Sequence, residues 1–411
     1  MNAATGALHI ATHGTAAGLV AVEVRNTRPT VAHALRGLAA EQACARVPRL
    51  YSLCAYAQAS AARAACAAAA GIVPDAAVRY EDERALAAES AREHLWRLML
   101  DWPAVLALPA ALQADWRTRF AELYRRLAAP TTAARTLSGA AYANPSTTGT
   151  PTTVERTELG AQLAEELSTL ADELAATLPG ALCCELDPPA HGSAPPAGSA
   201  DAPAARSRPP IPLLPALDAL ACTRRLALDE AFAAAPQLDG LCCETGALAR
   251  HHADPAVGAA LMQGRRLAAR ILARIADLRE SARALTRESL ATTPSHTDGG
   301  AALAPPGHAP RIDACSPAPG VGLARVDSAR GLLIHQVRLA ARPAGEPACI
   351  ADYRIVAPTE WNFHPQGAFV REALATPPMP VANRQRRLRA LALALDPCVA
   401  VSWDFEENGN A

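Results

Sequence analysis

The chain of 411 residues and 42.7 kDa is long enough for two domains or for one large core with insertions. Half of it is hydrophobic and only 4% aromatic, with alanine and leucine dominating, a balance that favours helices over sheets. A net charge of −1 on scattered arginines excludes a field that gathers nucleic acid or an anionic membrane surface, and the lack of any lysine excludes a P-loop phosphate clamp and Schiff-base chemistry.

Residues 1–20 lack a basic region followed by a long apolar run, and no later window is apolar and charge-free for long enough to cross a bilayer. A cytoplasmic protein without a membrane span is therefore expected. Eleven cysteines, an odd number, argue for reduced thiols over a disulfide framework. The adjacent pairs Cys183-Cys184 and Cys242-Cys243 are expected to be buried small side chains.

Alternation and valine content predict a strand over 19–24, followed by helix over 31–71 with a break near Pro48 and a closely packed stretch at 59–70. An amphipathic helix is predicted over 80–100, stopped by Trp102-Pro103. Helical blocks at 155–178 and 239–290 stand between three stretches rich in proline, serine, threonine, glycine and alanine, at 129–153, 187–215 and 292–319. Such stretches bury too little apolar surface to offset ordering and read as surface excursions or linkers. Strands are predicted at 331–339 and 348–356, joined by a Gly345-Glu346-Pro347 turn, and a last helix at 383–395.

The segments that carry chemistry form an ordered series. Arg36-Gly37-Leu38 is followed by Arg49-Leu50-Tyr51-Ser52-Leu53-Cys54 and Gln58, and Glu244-Thr245-Gly246-Ala247-Leu248-Ala249-Arg250 stands mid-chain. Then come Ala329-Arg330-Gly331 with His335, Val356-Ala357-Pro358-Thr359-Glu360-Trp361-Asn362, and Asp396-Pro397-Cys398 running on to Val401 and Asp404. The series resembles the large subunit of nickel–iron hydrogenases. That family carries an Arg-Gly-(Phe/Leu) helix, an Arg-x-Cys-Gly-x-Cys-x-x-x-His motif, Glu-x-Gly-Pro-Leu-Ala-Arg, Arg-Gly…His and Val-Pro-Ser/Thr-x-Trp-Asn segments, and a final Asp-Pro-Cys-x-x-Cys-x-x-His. The resemblance covers most of the chain outside the three polar stretches. It implies an α+β fold, mainly α, with a large-subunit-like helical core and a small C-terminal β element, a single domain over 1–411 whose distant ends meet at one site.

In that family four cysteines hold nickel and iron. Here Tyr51 stands for the first cysteine of the N-terminal pair, Ser52 for the glycine and Gln58 for the histidine, while Val401 and Asp404 stand for the last cysteine and histidine. An Arg-Ile-Glu-Gly-His segment is also missing before Val22. This degenerate pattern resembles the HupK/HoxV-type hydrogenase accessory proteins. The resemblance implies a scaffold or carrier, not an enzyme: it holds the Fe(CN)2(CO) fragment transiently, without nickel, and hands it to a hydrogenase large-subunit precursor, with hydrogenase maturation proteins as further partners. It also implies Cys54 and Cys398 as metal ligands, Arg330 and Thr359 as donors to the cyanides, and Leu333 and Pro358 as the apolar wall around carbon monoxide.

Plainer roles stand beside these. Cys54 reads equally as a buried helix cysteine, Cys398 as a small residue at a turn and Arg330 as half of an ion pair. His335 is expected to pack and hydrogen-bond, and His251, His252 and His364 to be surface or structural. Two other functions compete: a divergent hydrogenase large subunit, and a metal-free chaperone that mimics the large-subunit shape.

Overall fold

Alanine and leucine build helices that pack on two small sheets in the computed structural model, which describes residues 6–15, 18–51, 53–127, 153–183, 186–189, 210–286, 310–340 and 348–407. The chain opens with the hairpin β1 (Ala7–Thr15) and β2 (Gly18–Asn26), a 3-10 turn at Val31–Leu35, and the helices α1 (Ala40–Leu50), α2 (Ala55–Ala69) and α3 (Ala76–Trp96). There follow α4 (Trp102–Val105), α5 (Ala110–Arg126), α6 (Thr153–Ala181), α7 (Ala219–Arg225), α8 (Glu230–Ala234), α9 (Ala247–His251), α10 (Pro255–Met262) and α11 (Arg266–Thr286). A meander of β3 (Ile312–Ala318), β4 (Val321–Ser328), β5 (Gly331–Leu339) and β6 (Ile350–Val356) leads into α12 (Pro358–Asn362), α13 (Ala368–Leu374), α14 (Val381–Leu395) and β7 (Ala400–Glu407).

The largest core lies among α3, α5, α6, α11 and α14, with α11 at its centre and Leu8 and Ile10 of β1 closing one side. Strand β7 returns to pair in parallel with β1, giving a sheet of order β2-β1-β7 that ties the two ends of the chain together. The antiparallel sheet β3-β4-β5-β6 carries α2 across one face. That helix is mostly alanine, so its backbone reaches the sheet itself: a Cβ on Gly322 of β4 would collide with the carbonyl oxygen of Ala65. Tight packing through 59–70 is therefore as expected, and its cause is small side chains on the helix facing a glycine on the strand.

Several expectations need correction. Pro48 sits inside α1, and the break falls later, at Tyr51–Cys54. Trp102-Pro103 does not stop the helix before it: α3 runs through a π turn at Arg97–Asp101 into α4, and Pro103 lies in the first turn of α4, just past the wider π bonding. The stretch 292–319 is not wholly an excursion, because Ile312–Ala318 pairs with β4; it lacks a strong apolar run because β3 is an edge strand, exposed or half-buried along its length. Most of the three polar stretches and the turn at 345–347 lie outside the described residues. Cys242 and Cys243 are buried, but Cys183 is exposed, and Cys184 lies outside the described residues.

Candidate functional site

Cys54 ends the turn between α1 and α2 as the N-cap residue of α2, yet its side chain makes no capping bond. The N–H groups of Tyr56 and Ala57 are instead taken by the two carboxylate oxygens of Glu89 on α3, at 2.7 and 2.9 Å. Glu89 thus caps α2 from outside and leaves the sulfur free of that duty. Burial pushes the Glu89 carboxyl up to about 7, against the pull of those two N–H groups. The Cys54 sulfur packs into an apolar cluster with Leu333, Tyr56, Leu86 and Ala357. Its one polar neighbour of note is the Gln58 amide, a long 3.9 Å away.

Gln58, where the resemblance expects histidine, anchors a buried relay. His335 Nε2 donates to Gln58 Oε1 at 2.9 Å, and the Tyr353 hydroxyl donates to His335 Nδ1 at 2.8 Å. Burial lowers His335 to about 3, so the ring is neutral and both nitrogens are used. His335 is accordingly a packed, hydrogen-bonded histidine.

Cys398 follows the end of α14, where Asp396 adopts a left-handed conformation at φ 54°. Its sulfur lies 3.1 Å from Arg28 Nη1 and 3.2 Å from the Thr359 hydroxyl, and the same hydroxyl accepts from the Cys398 N–H at 3.2 Å. Thr359 stands with Pro358 in the first turn of α12, both buried. Arg28 comes from the loop after β2, pairs with Glu360 and lies over the Tyr51 ring, 5.7 Å from its centroid.

Arg330 is buried between Glu93 and Asp396. Burial opposes its charge, but Asp396 and Glu93, with Cys54 and Cys398 after them, together raise its affinity for the proton. Its Nη2 donates to Glu93 at 2.6 Å and its Nε lies 3.3 Å from Asp396, off the line of a hydrogen bond, so that buried N–H is unsatisfied among the described residues. Charge on Cys398 also acts on Cys54: burial first, then that neighbour, hold the Cys54 thiol well above the ordinary thiol range, with Arg330 pulling the other way. Leu333 thus borders Cys54, Thr359 touches Cys398, and Arg330 reaches Asp396, two residues before Cys398.

Two glycines press the motif segments together. A Cβ on Gly331 (φ +131°) would meet the Thr245 side chain at 2.5 Å, and one on Gly246 (φ +113°) would meet the Arg330 carbonyl at 2.9 Å. Only glycine fits both the conformation and the space. Asn362 then locks the junction, accepting from Thr245 N–H at 2.9 Å and donating to the Leu395 carbonyl at 3.4 Å. Beneath it Glu244 and Arg270 form a buried two-point ion pair at 2.9 and 2.7 Å, and a polar cavity of about 10 Å³, sized for one water, lies between them and Arg330.

Sequence reasoning missed several residues here. Asp396 is a hub for three guanidinium groups, those of Arg97 at 2.7 Å, Arg274 at 3.1 Å and Arg330 at 3.3 Å. Despite full burial these arginines hold its carboxyl far below the usual range. Its place in the Asp-Pro-Cys segment is the signal that could have found it. Arg28 had none, being one arginine among many. Val401 lies in β7 opposite Leu8 and packs on the large core, while Asp404 is exposed. His251, Asp277 and Glu280 bring ligand atoms within 4.8 Å of one another, but Asp277 already accepts from His94, His251 and both arms of Arg250. Its lone pairs are engaged, and Arg250 already supplies the positive charge.

The fold is that of a hydrogenase large subunit. A variant of the [NiFeSe] hydrogenase from Desulfovibrio vulgaris Hildenborough superposes with a TM-score of 0.61 at 16% identity, covering 97% of this chain and 99% of that one. The reduced Ni-Fe-Se hydrogenase of the same organism gives 0.60 at 15% identity, with 93% and 94% covered. No protein-family model matches the sequence. The chain is 33% identical to the hydrogenase expression/formation protein HupK of Rhizobium leguminosarum bv. viciae over 402 residues, 95% of this chain and 94% of that protein. It is also 33% identical to the hydrogenase expression/formation protein HoxV of Cupriavidus necator, with 94% and 93% covered. The protein belongs to the HupK/HoxV family of hydrogenase expression/formation proteins.

Proposed function

We propose that this protein is a non-catalytic scaffold in hydrogenase maturation that receives the Fe(CN)2(CO) fragment and passes it to a hydrogenase large-subunit precursor. The observation that supports this reading is that Arg330, whose charge acts on Cys54, lies 3.3 Å from Asp396, two residues before Cys398, in a chain where Tyr51 and Val401 replace the other two cysteines expected from the hydrogenase resemblance. Low-spin iron with three strong diatomic ligands needs only one or two thiolates more, and softness matching favours sulfur. In this reading Cys54 and Cys398 bind the iron and Arg330 turns its unsatisfied N–H to a cyanide nitrogen. Thr359 orients Cys398 or donates to the second cyanide, and Leu333 and Pro358 wall off the carbon monoxide. The fragment's donors in the cytoplasm and the large-subunit precursor are the partners.

A hydrogenase activity of its own would need sulfur at 51 and 401, where Tyr51 carries a phenol and Val401 packs in β7. Infrared spectra test the proposal. Protein purified anaerobically after co-expression with the maturation machinery is expected to show cyanide and carbonyl stretches that vanish in Cys54→Ser/Cys398→Ser. Wild-type protein without those bands overturns the carrier reading, and a double variant that still supports maturation favours a metal-free chaperone.

A further inference from the structure

Arg28 is a charged group beside Cys398 that no motif accounts for. Its guanidinium lies 3.1 Å from the Cys398 sulfur, over the face of Tyr51, and pairs with Glu360 behind. The side chain is only 14% exposed. Its backbone is held in place: a Cβ on Gly6 would collide with the Arg28 Cα, and the Arg28 N–H donates to Asn26 Oδ1 at 3.0 Å. Asn26 in turn donates to Glu360 at 3.2 Å, so the cation and its counter-ion are positioned as one unit.

We propose that Arg28 is the specificity-determining residue of the site, a fixed monocation standing beside Cys398 where a second, divalent metal would otherwise sit. The inference rests on the reading of Cys54 and Cys398 as metal ligands. A divalent ion bonded to the Cys398 sulfur would sit about 2.3 Å from it. On the Arg28 side it would then meet a guanidinium nitrogen 3.1 Å from that same sulfur. Such like charges in a poorly solvated pocket repel strongly. An iron fragment with two anionic cyanides suffers no such penalty and gains a cationic neighbour. Tyr51 contributes twice: it removes a thiolate, and its ring supplies a face on which the guanidinium rests. Nickel is thus excluded by an added charge as well as by missing sulfur.

Cobalt(II) titration of the full-length, fragment-free protein under anaerobic conditions tests this, read by the thiolate-to-cobalt charge-transfer absorption that is lost in Cys398→Ser. Arg28→Gln is expected to tighten cobalt binding at this site by about 100-fold, a large effect for a residue that is not itself a ligand. Arg28→Lys, which keeps the charge, stays within a few fold of wild type. Wild type binding cobalt as tightly as Arg28→Gln, or Arg28→Lys binding as tightly as Arg28→Gln, overturns the proposal. If Arg28→Gln fails to fold, Tyr51→Cys probes the same charge from the other side. With Arg28 in place the restored thiol leaves cobalt binding weak, and a tight three-thiolate site there refutes the charge argument. The infrared test of the carrier reading uses loaded wild-type protein, so a failure of that reading is distinguished from a failure of the charge argument.

Discussion

Cys54 is carried by the first turn of an alanine-rich helix pressed against a sheet, whereas Cys398 hangs on a loop between the left-handed end of α14 and a three-stranded sheet. The first sulfur is surrounded by apolar side chains and a distant amide; the second receives a guanidinium and a hydroxyl. One half of the site is therefore shaped by close packing and the other by charge, and the two fail in different ways. Packing tolerates exchange of one polar group, while a buried ionic hub tolerates almost none, because removing one member strands the rest.

The largest expected effect follows from that asymmetry. Asp396→Ala leaves the guanidinium groups of Arg97, Arg274 and Arg330 without their common partner, two of them almost fully buried. A loss of about 4 kcal/mol is expected in denaturant unfolding, in the range for breaking a buried ion pair. A loss below about 1 kcal/mol would show that the hub is not what holds the Cys398 loop, and the contrast between the halves would collapse.

Acid provides the next test. Burial lowers His94 to about 4 and His335 to about 3, so each binds its proton more weakly folded than unfolded. Their contributions are complete above the unfolded value near 6.5 and are lost as pH falls through it towards the folded values. Glu89, raised to about 7, works in the opposite direction between its ordinary 4.5 and 7, as does Glu83, also raised by burial, while His364, lowered by burial, adds to the histidine side. The melting temperature is thus expected to fall steadily from about pH 6.5 to about pH 4, with His94 alone worth about 3 kcal/mol across the window. His94→Gln, which retains a donor for Asp277, flattens the slope. A melting temperature constant between about pH 7 and about pH 4.5 rules this linkage out.

On the packed side a smaller change is expected. Gln58→Leu leaves the His335 N–H without an acceptor in a dry core, costing about 2 kcal/mol. Gln58→His, restoring the residue the resemblance expects, puts a second imidazole opposite His335 and costs less where its unprotonated nitrogen accepts the His335 N–H. Thermal unfolding of the two variants side by side distinguishes the relay from simple volume filling, since filling alone would leave Leu neutral.

How far the sequence reveals this arrangement differs between the halves. Helix-rich architecture, β5, α14 and the meeting of the motif segments are legible because they rest on composition, on periodicity and on a chain of short signatures from Arg36 to Cys398. Strands β1, β3 and β7 are not legible. β3 and β7 are mostly exposed or half-buried edge strands with weak apolar alternation, and β1 and β7 become a sheet only by pairing across nearly the whole chain. The same reason hides Arg28: its meaning is entirely tertiary, created when β1 and β7 bring the loop after β2 to the Cys398 sulfur. Asp396 was visible as part of a signature, but its three arginines come from separate elements whose spacing carries no pattern.

The smallest change asks whether the polar half can be weakened without being broken. Thr359→Val keeps the shape of the side chain but removes the hydroxyl that touches both the sulfur and the N–H of Cys398. With Arg28 still 3.1 Å from the sulfur and Asp396 still fixing the end of α14, the loop loses one hydrogen-bonding group and no charge. A cost of about 1 kcal/mol in urea unfolding is expected, as for one net hydrogen bond. Thr359→Val combined with Arg28→Gln should cost more than the sum of the two, because each group then no longer holds the sulfur for the other. Strict additivity in that double-mutant cycle would mean that Thr359 and Arg28 act on Cys398 independently, and that the charged half of the site is a set of separate contacts and not a single positioned unit.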